Sequence, residues 1–263
     1  MKGLSGKTAI VTGGSSGIGR ACVERLCTEG VSVTFSGISD VGKATEAELT
    51  AKGYSVQFLQ GDMADESFCH DLVEAAVEKW AGLDFLVNNA FSFISKGVDV
   101  TREDWDRVMH AGPVAYGTMA KHAARHMLKN GGAIVNISSI SAHIAQPGRW
   151  TYNSAKGAVT QLTKCMAMDL APKIRVNAVS PAWIWTKEVE KAAIGGRERW
   201  EPVWGNFHLL RRLGDTTECA GPVAFLLSDE ASFITGADIY VDGGYLTMGS
   251  EGLGENSSFV GSF

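Results

Sequence analysis

Short apolar runs alternate with helical stretches along the whole of this chain, and few folds accommodate that order. Strand candidates lie at residues 8–11, 31–35, 54–59, 85–87, 133–137, 174–179 and 238–241. Helical patterns run at 17–29, 44–51, 66–80, 102–128, 152–170 and 216–227, the fourth of them interrupted by Gly112-Pro113. Gly30, Gly53 and Gly82 each follow a helical stretch, where a left-handed terminating residue is wanted. Alternation of this kind means βαβ units, and hence a parallel sheet covered by helices on both faces. Right-handed crossovers then fix the winding. The expected fold is α/β: one domain over residues 1–263, with a doubly wound, seven-stranded parallel sheet. Two segments stand outside the pattern. Residues 181–213 form a long loop rich in tryptophan and charge, of the kind that usually carries function. Residues 249–263 are a Gly/Ser-rich tail, expected either to fray or to reach a neighbouring subunit.

Composition excludes several partners. The charge is −5, from 24 basic and 29 acidic side chains with no run of one sign, which disfavours nucleic acid. No stretch of about 18 apolar residues exists, so no membrane span is expected, and the first residues lack a signal-peptide pattern. The five cysteines, Cys22, Cys27, Cys69, Cys165 and Cys219, have no zinc-like spacing. Free thiols, no metal and a reducing, cytoplasmic location are the expectation.

The glycine cluster after the first strand reads Thr12-Gly13-Gly14-Ser15-Ser16-Gly17-Ile18-Gly19. A dinucleotide's pyrophosphate must approach backbone N–H groups at a helix N-terminus, and side chains there would block it. The spacing is G-x-x-x-G-x-G rather than G-x-G-x-x-G, but its place between a strand and a helix points to nucleotide binding. At the end of the second strand, Gly37 stands where a ribose-binding carboxylate is expected, and Ile38 follows. No cation occurs in the glycine turn before Arg20, which favours NAD over NADP. Asp40 either reaches the ribose or caps the next helix.

Tyr152 and Lys156 open a helical stretch four residues apart, on one face. A free phenol has a pKa near 10 and needs a nearby cation to serve as a base at neutral pH. With one, it can exchange a proton with an alcohol or carbonyl oxygen. Ser139, just past the fifth strand, can hold that oxygen by a hydrogen bond.

Taken together, TGGSSGIG at 12–19, Asp62, NNA at 88–90, NISS at 136–139, YNSAK at 152–156, IRVNAVSPA at 174–182 and DGGY at 242–245 resemble the short-chain dehydrogenase/reductase family over residues 7–245. The resemblance implies a Rossmann sheet, with Ser139, Tyr152 and Lys156 catalytic. It implies cofactor contacts along Gly13, Ser15, Ser16, Gly17, Ile18, Gly19, Gly37, Asp62, Met63, Asn89, Ala90, Pro181, Trp183, Ile184 and Thr186. Asp62 is expected near the adenine, Asn88 to Ala90 along the cofactor, Lys156 on the nicotinamide ribose and Thr186 on the carboxamide. A homotetramer is implied as well, built partly on the long helices and the last strand. Residues 35–40 are similar to those of NAD-using hydroxybutyrate dehydrogenases in that family. Two departures stand out: Phe91 replaces the glycine of NNAG, and Gly112 replaces an asparagine that holds a water in a proton relay. His110 or backbone carbonyls freed by Pro113 are the expected substitutes.

For the substrate, Phe91, His143, Trp150 and Trp183 are the expected contacts. Aromatic faces with a few polar groups suit a sugar, polyol, cyclic alcohol or hydroxy acid. The basic residues of the loop, Lys187, Arg197 and Arg199, admit a carboxylate. The expected activity is hydride transfer between NAD and a secondary alcohol or ketone. An NADPH-dependent carbonyl reductase is the alternative within the class. A nucleotide-binding regulatory protein with little turnover is the alternative outside it.

Overall fold

The computed structural model describes residues 1–249. Its sheet contains β1 (Thr8–Val11), β2 (Ser32–Gly37), β3 (Val56–Gln60), β4 (Phe85–Asn88), β5 (Gly132–Ile137), β6 (Ile174–Pro181) and β9 (Asp238–Val241). All neighbours are parallel, in the order β3-β2-β1-β4-β5-β6-β9. The order reverses between β1 and β4, which opens a crevice beyond their carboxyl ends.

Side chains of a strand point alternately to the two faces, so a doubly covered sheet needs apolar residues at every position. Ala9 and Val11 of β1 enter one core, with α1 (Gly17–Thr28), α2 (Val41–Ala51) and α9 (Thr216–Leu227). Ile10 enters the other, with α3 (Glu66–Trp80), α5 (Ala115–Met127) and α6 (Trp150–Leu170). The same split sends Phe85 and Val87 one way and Leu86 the other. Fully burying such an aliphatic side chain stabilises the fold by about 1.5–3 kcal/mol.

The long helical stretch is two helices. A capping box between Thr101 and Asp104 opens α4 (Arg102–Met109), and a π-helical turn at His110–Val114 separates it from α5. Pro113 has no N–H to donate, and Gly112 leaves helical geometry with φ −116° and ψ −111°. At the end of α3 the left-handed residue is Ala81, with φ 60°, and not Gly82 as expected.

The loop at 181–213 is built from short elements: β7 (Ile184–Trp185), α7 (Lys187–Ala192) and α8 (Arg197–Trp204). Its β7 pairs with β8 (Gly214–Asp215), which anchors the loop beside the start of α9. All five cysteines are unpaired, four of them buried. Among the described residues no helix is long and apolar enough to cross a membrane. The expectation for the tail, from residue 250 onward, lies outside the described residues.

Candidate active site

A cleft of about 640 Å³ runs along the carboxyl ends of the strands. One end is the turn after β1, where Gly13 and Gly17 have φ of 66° and 58°. The turn is tied to β4: Thr12 Oγ1 accepts from the N–H groups of Asn89 (2.9 Å) and Ala90 (3.0 Å). In return Asn89 Nδ2 donates to the carbonyls of Thr12 (2.9 Å) and Gly13 (3.2 Å).

The cradle fits a dinucleotide. A Cβ on Gly37 would stand 2.0 Å from Ser15 Oγ, and one on Gly13 would stand 2.9 Å from Asn89 Nδ2. Both strand ends therefore meet the turn with no side chain between them. Ser15 Oγ is buried in this wall without a hydrogen-bond partner. A buried hydroxyl left unpaired is costly, and an anionic ligand atom would satisfy it.

The cleft is lined by Gly13, Ser15, Ser16, Gly17, Ile18, Gly37, Asp62, Met63, Asn89 and Ala90 from the expected cofactor set. Pro181, Trp183, Ile184 and Thr186 line it from the other side. Gly19 does not. A Cβ there would lie 2.2 Å from the Gly13 carbonyl oxygen, so its role is to let α1 close on the turn. Asn88 is withdrawn too: it is fully buried and donates to Asn136 Oδ1 at 2.9 Å, while Asn136 donates to Thr163 Oγ1 at 2.9 Å. This polar seam fastens β4, β5 and α6 together. Asp40 begins α2 but makes no capping bond and pairs with Lys43 instead.

Sequence reading missed Arg107. Its Nη1 lies 2.6 Å from Asp62 Oδ2, and both residues line the cleft. Burial alone would raise the Asp62 carboxyl, but the guanidinium and the Ala64 N–H hold it below its usual range.

At the opposite end stand Ser139, Tyr152 and Lys156, all on the cleft wall. Ser139 follows β5 and its Oγ accepts from Ser141 N at 3.1 Å. Tyr152 and Lys156 stand one turn apart at the start of α6, which Ser138 Oγ binds to the sheet through the Lys156 carbonyl at 3.2 Å. Burial raises the Tyr152 phenol, and a hydrogen bond from Ser139 and the charge of Arg149 pull it back. Lys156 is not the partner expected for it. The Lys156 Nζ stands 5.8 Å from the Tyr152 ring centroid, donates to the Ile137 carbonyl at 2.9 Å and lies 3.9 Å above the Phe91 ring. Burial pushes the Lys156 ammonium down to about 7, whereas the carbonyl and the ring face both favour its charged form.

Phe91 fills the room that a side chain at 112 would need. Its ring meets Tyr152 edge-on at 5.5 Å. His110, the expected relay substitute, is exposed, and its Nδ1 lies 2.7 Å from the Asp106 carbonyl, away from the cleft.

Of the expected substrate contacts, Phe91 and Trp183 line the cleft and His143 and Trp150 do not. His143 Nε2 lies 2.9 Å from Asp238 Oδ2 and its ring packs on Tyr240. Trp150 is exposed. Trp204 lines the cleft and stacks between Trp183 and Trp200, at 4.9 and 4.8 Å. Phe93, Gln146 and Arg149 also line the wall.

A family model described as Enoyl-(Acyl carrier protein) reductase matches residues 13–246. Cyclopentanol dehydrogenase of Comamonas sp. (strain NCIMB 9872) is 37% identical over 254 residues, 93% of this chain and 99% of that protein. Glucose 1-dehydrogenase 2 of Bacillus subtilis (strain 168) is 35% identical over 251 residues, covering 92% and 96%. The solved structure of a 7α-hydroxysteroid dehydrogenase complexed with NADH and 7-oxo glycochenodeoxycholic acid superposes with a TM-score of 0.86 at 31% identity, covering 92% of this chain and 94% of that one.

Proposed function

The chain belongs to the short-chain dehydrogenase/reductase family, and on that premise we propose that it is an NAD-dependent dehydrogenase of secondary alcohols. One observation carries the reading: Ser139, Tyr152 and Lys156 share a cleft with an open glycine turn at a helix N-terminus. The turn at Ser15 to Ile18 would hold the pyrophosphate, Asp62 and Met63 the adenine end, Lys156 the ribose and Thr186 the carboxamide. A nicotinamide bound there would supply the hydride acceptor; Tyr152 Oη would take the O–H proton of the alcohol as its carbinol hydride leaves, giving a ketone. Ser139 Oγ holds the reacting oxygen, and its hydrogen bond together with the Arg149 charge favours the phenolate.

The preference for NAD rests on the wall after β2. Gly37, Ile38 and Ser39 line the cleft there without a cation among them. Arg20 is held by Glu24 and Glu48, and Lys43 by Asp40. Among the described residues, the cations nearest that wall thus already have carboxylate partners. The substrate end, walled by Phe91, Phe93, Trp183 and Trp204, suits an apolar ring or chain bearing a few polar groups: a cyclic alcohol, sugar, polyol or hydroxy acid. A homotetramer is in keeping with the 82% exposure of Met168 on α6 and the complete exposure of Phe233.

Purified protein mixed with NAD or NADP and a panel of these alcohols should generate reduced nicotinamide, read by absorbance, faster with NAD. Tyr152→Phe should abolish the signal. Silence of the parent across the panel would sink the proposal.

A further inference from the structure

Arg149 immediately precedes α6, three residues before Tyr152, and lines the cleft beside it. Its guanidinium carbon lies 5.5 Å from the Trp183 ring centroid and 5.9 Å from that of Phe93. A cation–π contact of this kind leaves the N–H donors of the planar guanidinium available. Five donors lie in that plane. Among the described residues no carboxylate or carbonyl accepts from them.

The neighbouring arginines differ. Arg107 is bound to Asp62, and Arg197 to Glu201 and Asp215. Arg199 Nη1 donates to the Ile194 carbonyl at 3.4 Å. So Arg197 and Arg199, two of the three loop cations expected to meet an acidic substrate, are already engaged; Lys187 also lines the cleft, but it offers a single ammonium on α7, whereas Arg149 offers a planar fork close to Tyr152. Its two aromatic neighbours flank it and shield it in part from water, which strengthens a charge-assisted pair.

We propose that Arg149 binds the carboxylate of the substrate, so that the alcohol oxidised at Tyr152 belongs to a hydroxy acid with an apolar body; the inference rests on the dehydrogenase reading of the same cleft. The guanidinium takes the carboxylate edge-on by two parallel N–H···O bonds. The apolar body lies along Trp183 and Phe93, and the hydroxyl is presented to Ser139 and Tyr152. The charge of Arg149 also acts on the Tyr152 phenol, favouring its ionised form, so an anion seated on Arg149 weakens that help and the pair must balance recognition against ionisation.

The test uses matched pairs. Cyclohexanecarboxylate and butyrate, each beside its primary amide, are titrated calorimetrically into the NADH-saturated parent, Arg149→Lys and Arg149→Met. In the parent each carboxylate should bind at least tenfold tighter than its amide. Arg149→Met should erase that ratio, and Arg149→Lys, which keeps the charge without the planar fork, should keep part of it. A parent that shows no preference, including one that binds neither probe, overturns the assignment. So does a preference that survives in Arg149→Met. Turnover is measured alongside with 4-hydroxycyclohexanecarboxylate, 3-hydroxybutyrate and their amides. Turnover of alcohols with no carboxylate preference leaves the dehydrogenase reading standing and removes Arg149 from substrate recognition. A carboxylate preference that depends on Arg149, with no turnover of any alcohol, does the reverse.

Discussion

A Cβ on Gly112 would stand 2.6 Å from Cε2 of Phe91. The two positions that depart from the pattern the resemblance implies therefore touch. The phenyl ring occupies the volume of the missing side chain and lays its face under Lys156.

It follows that restoring the asparagine alone fails. Gly112→Asn drives a branched amide into a packed ring, a class of change that costs about 1–3 kcal/mol. The melting temperature should fall and turnover with it. Phe91→Gly combined with Gly112→Asn should recover most of the lost stability, read as a non-additive double-mutant cycle. Strict additivity of the two single effects would show that the contact is unimportant.

The rate of alcohol oxidation should rise with pH, because burial raises the Tyr152 phenol and only its ionised form takes the substrate proton. Ser139→Ala removes a hydrogen bond that pulls the phenol back down. Its acid limb should therefore move to higher pH, in addition to a fall in kcat of about 10²- to 10³-fold from the lost oxygen contact. A limb that moves to lower pH would contradict this electrostatic account.

Stability should carry the mark of Lys156. Its folded pKa, about 7, lies below the ordinary lysine value, so between those limits the unfolded chain binds more protons. The cost of burying this lysine is complete below pH 7 and is relieved as pH rises toward 10.5, its ordinary value. The melting-temperature difference between Lys156→Met and the parent, followed without cofactor, should be largest at pH 6 and should shrink by pH 8.5. A pH-independent difference would mean that Lys156 stays charged throughout.

Cofactor choice should answer to Ile38 and not to Gly37. Any side chain at 37 collides with Ser15, so Gly37→Asp should weaken NAD binding despite supplying the carboxylate that many nucleotide sites use. Ile38 is exposed on the cleft wall. Ile38→Arg adds an unpaired cation there and should shift the NADP-to-NAD ratio of kcat/KM upward by about tenfold or more, the scale of one charged hydrogen bond.

What the sequence made legible was local in character. Short apolar runs and helical patterns located every strand of the seven-stranded sheet and most helices between them, but not α7 and α8, which lie inside the stretch read as a loop. The glycine turn, Ser139, Tyr152 and Lys156 were readable because each follows directly from a strand end or a helix start. Contacts between residues far apart in the chain were not readable: Asp62 with Arg107, Phe91 with Gly112, Asn88 with Asn136. Trp150 was misplaced for a geometric reason. Two residues along a helix turn the side chain by about 200°, so the neighbour of Tyr152 in sequence faces away from it. Three residues turn it most of the way round, and Arg149 shares the catalytic side. His143 was taken for a pocket residue on sequence proximity, but it ends a short turn that delivers it to Asp238 on the last strand.

The buried hydrogen-bonded chain from the Asn88 amide through the Asn136 amide to the Thr163 hydroxyl has a consequence for how this scaffold can diverge. Other strand pairs carry single polar ties, Thr34 with Gln57 and Ser180 with Asp238, amid apolar side chains. Here a slip of one residue would leave amide groups stranded in the core, each at a cost of about 1–3 kcal/mol. The seam works as a keyed joint beneath the catalytic end. The segments that shape the pocket, around residues 91–97 and 181–213, hang from the joint without forming part of it. New substrates can be acquired by rewriting those segments and the stretch before α6 that carries Gln146 and Arg149, while the distance between Ser139 and Tyr152 stays where the joint sets it.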